Sequence, residues 1–444
     1  MAHSTLKVSD FQFLKAARKL LPTRLLKEAV TATAKGPKRD RLLPASLLLA
    51  CLVHWFFDAT ARLPSIVRWL CRCDEKVPSD PAIYKARARL GWAPMWWLVR
   101  RVCRTLADLT QDPTAFYNGR RLLAIDGTTF TVADTEQNSK TFGRAKNQHG
   151  ESGFPLMRVV ALCEVGTHAL LHWIARSFRV GEQTLAARLL RHITADALVL
   201  ADRNFHSYEL WEARRIGKWD LLVRIQSGPM FAKTEVLPDG SFLSWVTPRR
   251  GKNKKARRIQ VRVITYQWVD DKGKTHTSRL LTSLLDSTKD PASVLVELYH
   301  RRWEEECVFR EIKGELKDRV THIRAQDPLL AMQELDGLLL GHYVLRTVIL
   351  EAARKAGVAP VEISFEGTLR LILTRLRSLP EKAAAQQEWW ERFLKAVARE
   401  VVQKRRKRCC PRKKKVTRSA WPVKRKEDVE TTVPTLIVVK ATMP

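Results

Sequence analysis

The stretch Tyr299-His-Arg-Arg-Trp-Glu-Glu-Glu-Cys-Val-Phe-Arg-Glu-Ile-Lys313 combines aromatic, cationic and acidic side chains at helical spacing. On a helix of about 100° per residue, four of its polar side chains fall on a face about 60° wide. The residues on this face are Tyr299, Arg302, Glu306 and Lys313, with Trp303 and Arg310 just beside them. The pattern predicts a helix that presents one carboxylate among cations and aromatic rings.

The same wheel separates the remaining residues of the stretch. Glu304 and Glu305 point away from the polar face, so Glu306 is the one member of the three consecutive glutamates that joins it. An apolar arc for packing lies next to that face and comprises Leu298, Val308, Phe309, Ile312 and Leu316. A solvated charged helix with no site is the simpler interpretation of so many charges. Residues elsewhere in the chain distinguish the solvated helix from a helix that carries a site.

The region after Arg120 has the periodicity of an α/β domain. Apolar runs rich in β-branched residues predict strands, and mixed segments between them predict helices. The predicted strands span residues 122–132, 155–165, 168–178, 197–201 and 219–225, and the predicted helices span residues 182–192 and 207–216. Three strands, a helix, a strand, a helix and a strand are the order of a ribonuclease-H-like (retroviral-integrase-like) core.

Two aspartates interrupt or end apolar strands in this region. Asp126 lies within the first predicted strand, and Asp202 directly follows the short apolar strand 197–201. A buried carboxylate is costly unless a cation, a hydrogen-bond donor or a metal compensates it. Either aspartate alone would be read as a turn or helix cap. Together with Glu306, they form a candidate set of three carboxylates.

The order Tyr-x2-Arg-x3-Glu-x6-Lys, together with Asp126-Gly-Thr and Asp202-Arg-Asn-Phe, resembles the bacterial insertion-sequence DDE transposases. The matching branch is the one with the Tyr-Arg-Glu-Lys signature, insertion-sequence family four, and the resemblance covers roughly residues 15–350. It implies that Asp126, Asp202 and Glu306 hold two Mg²⁺ or Mn²⁺ ions. It also implies that Tyr299, Arg302 and Lys313 grip terminal DNA phosphates, with Trp303 and Arg310 beside them.

The resemblance further implies the partners and the reaction. The family acts on double-stranded DNA, both the terminal inverted repeats of its element and the target, through a synaptic homodimer. Cut-and-paste transposition is therefore the expected activity. A metal-dependent nuclease or resolvase with the same core, and a non-catalytic DNA-binding relic, remain the alternatives.

The domain organisation follows from composition and turn signals. We predict a helical N-terminal domain (1–118) and an α/β domain (119–350) interrupted by an antiparallel β insertion (228–278). The helices of residues 1–118 alone would fit many roles; the family resemblance implies that this domain binds DNA and that residues 119–350 are the catalytic domain. A helical region (351–403) and a basic tail (404–444) follow, and residues 404–426 of the tail carry 13 basic residues and no acidic one. We expect this tail to be disordered and to bind phosphate non-specifically. In the N-terminal domain, Lys85, Arg87 and Arg89 suit either DNA contact or a solvated face.

The overall charge favours a polyanionic partner. The 444 residues carry a formal net charge of +33, from 79 Lys and Arg against 46 Asp and Glu. An excess of this size points to nucleic acid. The longest apolar run, residues 46–57, is too short to span a bilayer, so we expect no membrane insertion and a cytoplasmic, nucleoid-associated protein. The eight cysteines lack zinc-site spacing and are expected to be buried thiols.

Overall fold

The computed structural model describes most of the chain. Its described residues are 21–33, 43–55, 62–71, 78–147, 150–225, 231–248, 257–269, 275–301, 308–316, 323–375, 380 and 383–402. Residues 1–20 of the predicted helical N-terminal domain and the basic tail 404–444 lie outside these residues.

The N-terminal part of the described chain is helical, as predicted. Its helices are α1 (Thr23–Thr33), α2 (Ala45–Trp55), α3 (Leu63–Cys71), α4 (Asp80–Leu90) and α5 (Ala93–Val102). Every residue of α2 from Ser46 to Trp55 is buried, which explains its continuous apolar sequence. The helices α1 to α5 form a helical layer, and α2 is its centre.

A single ten-stranded sheet dominates the rest. Its strands are β1 (Phe116–Tyr117), β2 (Arg120–Thr131), β5 (Leu156–Glu164), β6 (Ala169–Ser177), β7 (Ala197–Ala201), β8 (Asp220–Ile225), β9 (Glu235–Val236), β10 (Phe242–Val246), β11 (Ile259–Val269) and β12 (Thr275–Thr282). A separate small hairpin consists of β3 (Lys146–Asn147) and β4 (Gly150–Glu151). The main order is β6-β5-β2-β7-β8-β12-β11-β10-β9, and the short β1 pairs with β2.

The first five strands of that order form the ribonuclease-H-like core. The strands β6, β5 and β2 are antiparallel neighbours, whereas β7 pairs parallel to β2 and β8 pairs parallel to β7. All five residues of β7 are buried, as expected for a central strand covered on both faces. The predicted ribonuclease-H-like fold class is confirmed.

The strands β9 to β11 lie in the region predicted to be a β insertion (228–278), and β12 begins there and extends past it to Thr282. They pair antiparallel with one another, and β12 also pairs antiparallel with β8, so they extend the same sheet. Residues 258–264, in and just before β11, alternate basic and apolar side chains, a pattern that predicts a strand with one solvated face. This prediction is wrong for Arg262. That side chain is fully buried, donates to the Ser241 hydroxyl (2.7 Å) and the Asp290 carbonyl (2.6 Å), and forms an ion pair with Asp239.

Helices cover the sheet and connect it to the helical layer. They are α6 (Glu136–Phe142), α7 (Glu182–Leu189), α8 (Tyr208–Gly217), α9 (Ala292–His300), α10 (Pro328–Ala356), α11 (Phe365–Arg375) and α12 (Ala383–Ala398). The helix α10 has 29 residues, is buried along most of its length, and contacts α2, α5 and β6. Asp327 caps its first turn by accepting from the backbone N–H groups of Leu329 and Leu330.

The same helix anchors the N-terminal layer through buried polar contacts. The Asp336 carboxylate accepts from the indole N–H groups of Trp92 (2.5 Å) and Trp173 (2.7 Å). The helix α10 thereby joins the helical layer to strand β6. Within the described residues, no helix is both long enough and apolar enough to cross a bilayer.

Candidate active site

The two predicted aspartates lie side by side where the parallel pairing of β2 with β7 ends. Ile125 of β2 and Ala201 of β7 are register partners in a parallel ladder, and Asp126 and Asp202 are the residues that follow them. Adjacent strands are about 4.8 Å apart, so the two carboxylates start from neighbouring positions. The structure therefore brings together two of the three predicted carboxylates.

Arg224 continues this row on the next strand. Ala201 is the register partner of Val223 in β8, so Arg224 stands at the level of Asp202. Its guanidinium Nη2 lies 3.2 Å from Asp202 Oδ1. Sequence reasoning missed Arg224, although a charged residue near the end of an apolar strand is the same signal that identified Asp126.

Lys313 reaches the site from the chain segment that follows α9. Its ammonium group donates to the Thr128 hydroxyl and lies 5.2 Å from the centre of the Phe130 ring. Thr128 and Phe130 share a face of β2 with Asp126, because side chains alternate along a strand. Burial lowers the pKa of Lys313 to about 8, and the nearby Asp126 carboxylate opposes that shift. Lys313 thus lies beside Asp126 within the same electrostatic site.

The predicted apolar arc packs as expected where the structure describes it. Leu298, Val308, Phe309 and Ile312 are all buried. The segment Glu311–Leu316 is a π-helix, a form that often occurs at functional sites.

The third predicted ligand lies outside the described residues. Glu306 belongs to the gap 302–307, as do Arg302 and Trp303. Among the described residues, no three His, Cys, Asp or Glu side chains form a group suited to a metal ion. The candidate ligand set therefore combines two residues observed at one edge with one predicted from the helical wheel.

The other residues predicted to contact DNA occupy different environments. Tyr299 is buried with 4% exposure, so its ring contributes to packing in this structure. Arg310 is exposed.

On α4, Lys85 and Arg89 are exposed, but Arg87 is only 6% exposed. Its guanidinium donates to the Gln333 side chain (2.8 Å) and lies 3.5 Å from Glu334. This contact with α10 gives Arg87 a structural position, and the expectation that it faces DNA does not fit its burial. The alternating pattern on α4 carried no sign of this partner.

A basic groove on the helical layer was not predicted. It has a volume of about 680 Å³ and lies between α1 and α5. Its cationic residues are Arg24, Lys27 and Arg101, and the Arg101 guanidinium lies 4.8 Å from the centre of the Trp97 ring. Glu28 also lines the groove and forms an ion pair with Arg24 (2.7 Å). Lys27 and Arg101, with the Trp97 indole, are therefore the groups in the groove that suit a phosphate.

Comparisons with known proteins agree with this fold. Residues 117–332 match the family model described as the transposase DDE domain, and these residues include both aspartates, Arg224 and Lys313. The chain is therefore a DDE transposase, an enzyme that cleaves and joins DNA. Residues 12–100 match the model described as the insertion element 4 transposase N-terminal region. Together these matches show that the chain belongs to the insertion element 4 family of DDE transposases.

Two relatives from Escherichia coli K12 are similar to the chain. The transposase InsG for insertion sequence element IS4 is 28% identical over 379 residues, which is 81% of each protein. The putative transposase InsZ is 28% identical over 198 residues, which is 43% of this chain and 64% of that protein. A solved piggyBac transposase synaptic complex with hairpin DNA has a TM-score of 0.42 and 12% identity, covering 87% of this chain and 85% of that chain. A likeness of that level supports no conclusion.

Proposed function

We propose that this transposase cuts at the ends of its own insertion sequence and joins them to target DNA in a cut-and-paste reaction. The observation that carries the proposal is the row formed by Asp126 and Asp202 on adjacent parallel strands. Two carboxylates at one edge provide the hard oxygen ligands that Mg²⁺ and Mn²⁺ prefer.

The chemistry of these side chains fits a pair of divalent ions. Asp202 Oδ1 is buried and accepts no hydrogen bond from the described residues. The Arg224 guanidinium lies 3.2 Å from it and forms an ion pair with it. A carboxylate in that setting has lone pairs available for a metal. Two such ions, when bound by Asp126, Asp202 and Glu306, would activate the attacking oxygen and stabilise the leaving one.

The cations of the site would bind and orient the DNA. Lys313 stands beside Asp126 and offers a point charge to a phosphate, and Arg302 would offer a bidentate guanidinium. Trp303 and Arg310 would line the same terminal DNA segment, whereas Tyr299 is buried and would support them through packing. These contacts would hold the scissile phosphate over the carboxylates.

Further DNA contacts would come from the helical layer and the basic tail. The groove with Arg24, Lys27 and Arg101 supports recognition by the N-terminal region, proposed to extend over residues 1–118. We propose residues 119–350 as the catalytic domain, with 228–278 as its insertion and 351–403 as a helical region, and a homodimer as the form that pairs two element ends. Residues 404–444 would bind phosphates without sequence preference.

A strand-transfer assay tests the proposal. The substrate is duplex DNA that carries the inverted repeat found beside the gene, incubated with Mg²⁺ and a supercoiled target. Wild-type protein should cleave the end and join it, whereas Asp126→Asn and Asp202→Asn should do neither and still bind DNA. Cleavage without joining would favour the nuclease alternative, and binding without cleavage would favour the DNA-binding relic.

A further inference from the structure

A buried charge cluster surrounds Glu311, close to the proposed catalytic residues. The Glu311 Oε2 atom accepts from His342 Nε2 (2.8 Å) and from Arg346 Nε (3.1 Å). Its Oε1 atom accepts from Nη2 of the same guanidinium. His168 Nδ1 lies 3.1 Å from Oε1 and 2.7 Å from Arg346 Nη2, so the ring either donates to the carboxylate or accepts from the guanidinium.

The members of the cluster come from three separate parts of the fold. Glu311 opens the π-helix, whereas His342 and Arg346 are one turn apart on α10. His168 lies in the turn between β5 and β6 with a left-handed φ of 59°. All four side chains are at most 5% exposed. The cluster therefore ties the π-helix to both the longest helix and the core sheet.

Charge and protonation make Glu311 the ionised centre of this cluster. Burial by itself raises the pKa of Glu311, but Arg346 and His168 outweigh it and hold the pKa well below its usual range. Burial lowers the pKa of His342, so this ring is neutral and donates its Nε2 proton. A buried ion pair of this kind contributes little net stability compared with apolar packing, and a role in fixing register is its best-attested use.

Glu311 would fix the register of the chain segment that contains the proposed site residues Glu306 and Lys313. Glu311 precedes Lys313 by two residues and follows Glu306 by five. Because Lys313 contacts Thr128 on the strand of Asp126, a shift or rotation of this segment would move its ammonium group out of the site.

We propose that Glu311, held by His342 and Arg346, is a positioning residue that fixes Lys313 beside Asp126 and thereby sets the register of the segment to which the proposed ligand Glu306 belongs. The inference rests on the proposed function, since it concerns the placement of that function's catalytic residues. Glu311 itself would touch neither DNA nor metal.

The experiment separates positioning from stability with one single and one double variant. In full-length protein, Glu311→Gln leaves the Arg346 charge without its partner. It should lower the Tm, speed hydrogen exchange in residues 308–316, and raise about tenfold the Mn²⁺ concentration that half-saturates cleavage of end-containing DNA. Glu311→Gln/Arg346→Met removes both charges and should recover the Tm but not the Mn²⁺ requirement.

Glu164 offers a matched control elsewhere in the sheet. It is fully buried, forms an ion pair with Arg121 (2.6 Å) and accepts from the Thr167 hydroxyl (2.6 Å). Glu164→Gln should lower the Tm comparably while leaving the Mn²⁺ requirement and the exchange of residues 308–316 unchanged.

Three outcomes are distinguishable. If the double variant recovers both Tm and Mn²⁺ requirement, or if Glu164→Gln raises that requirement equally, Glu311 acts through stability alone and the inference is wrong. If Glu311→Gln does not fold, His342→Gln, which keeps the ion pair, should still speed exchange in residues 308–316 and raise the Mn²⁺ requirement; unchanged values would overturn the inference. If wild-type protein shows no Mn²⁺-dependent cleavage, the proposed function fails first.

Discussion

The guanidinium Nη2 of Arg224 lies 3.2 Å from Oδ1 of Asp202, across two adjacent parallel strands at the edge where Asp126 also lies. The side chains of Arg224 and Asp202 are 29% and 19% exposed, so water screens this pair only in part. A fixed cation beside a proposed metal ligand has two opposing effects. It orients the carboxylate, and it repels any divalent ion that the carboxylate would bind.

We predict that repulsion is the larger effect of Arg224. Arg224→Met should lower the Mn²⁺ dissociation constant about fivefold, which corresponds to ~1 kcal/mol of relieved repulsion in a partly solvated site. Calorimetric titration with Mn²⁺ measures this change. Arg214→Met is the matched control. Arg214 pairs with Asp220 (2.9 Å), which begins β8, whereas Arg224 lies near the end of that strand. Weaker Mn²⁺ binding by Arg224→Met would instead assign the orienting role to Arg224.

Lys313 should give the reaction an alkaline limit. Its pKa of about 8 means that the ammonium form is lost above that pH, whereas phosphate binding requires the charge. We expect kcat/KM for end cleavage to fall above about pH 8 in wild-type protein, because kcat/KM reports the pKa values of the free enzyme. Lys313→Arg keeps a cation at every accessible pH and should remove this decline while retaining activity. An identical decline in Lys313→Arg would assign the alkaline limb to another group.

The same depressed pKa has a consequence for stability. An unfolded lysine titrates near ~10.4, so between about pH 8 and that value the unfolded state binds more protons than the folded state. The free energy of unfolding should therefore rise with pH through this window, and the effect should be smaller in Lys313→Met. Urea titrations at pH 7.5 and pH 10 measure the difference; an equal rise in both proteins would contradict the assignment.

The sequence predicted those features that depend on local pattern. The apolar runs that contain Asp126 and precede Asp202 predicted two strands of the core, and both strands are present. The helical wheel also placed Val308, Phe309 and Ile312 on a packed face, and all three are buried. Each of these results needs only spacing within one element.

Long-range polar partners could not be predicted in this way. Arg262 and Arg87 lie in alternating patterns typical of solvated faces, but Asp239 and Glu334 compensate their charges inside the protein. The cluster of Glu311 combines residues separated by up to 178 positions, and no local pattern connects them. Burial of a charge depends on which distant residues pack against it, and the hydrophobic periodicity of a single element does not contain that information.

The basic groove and the basic tail should contribute differently to DNA binding. Each phosphate contact adds about 0.9 to the slope of log K against log salt on duplex DNA. Deleting residues 404–444 should reduce that slope by several units and leave the preference for element ends intact. Binding isotherms at several salt concentrations, with end-containing and unrelated duplexes, measure both quantities. Loss of end preference with the tail would remove the N-terminal region from recognition.

Substitutions in the groove provide the complementary measurement. Lys27→Ala and Arg101→Ala each remove an exposed cation between α1 and α5. Each should reduce the salt slope by about one unit. The double variant should also reduce preference for the element ends, if this groove holds end DNA. Lys140→Ala is a suitable control, because that exposed lysine lies on α6, outside the groove. Equal effects of all three substitutions would mean that the groove has no special role.

The three consecutive glutamates before Cys307 allow the sharpest test of the third ligand. On the helical wheel, Glu306 shares the face of Lys313, whereas Glu304 and Glu305 point elsewhere. Glu306→Gln keeps the size and hydrogen bonding of the side chain but loses the charge that holds a hard divalent cation. It should abolish nicking and strand transfer while DNA binding is kept or slightly tightened, because a negative charge near phosphate is removed.

The two neighbouring glutamates are the controls for this variant, since they differ from Glu306 in direction and share its sequence context. Glu304→Gln and Glu305→Gln should remain within several-fold of wild-type activity. A time course of Mg²⁺-dependent cleavage on end-containing DNA compares all three proteins with wild type. An active Glu306→Gln, or a comparable loss in all three, would mean that this segment does not supply the third carboxylate beside Asp126 and Asp202.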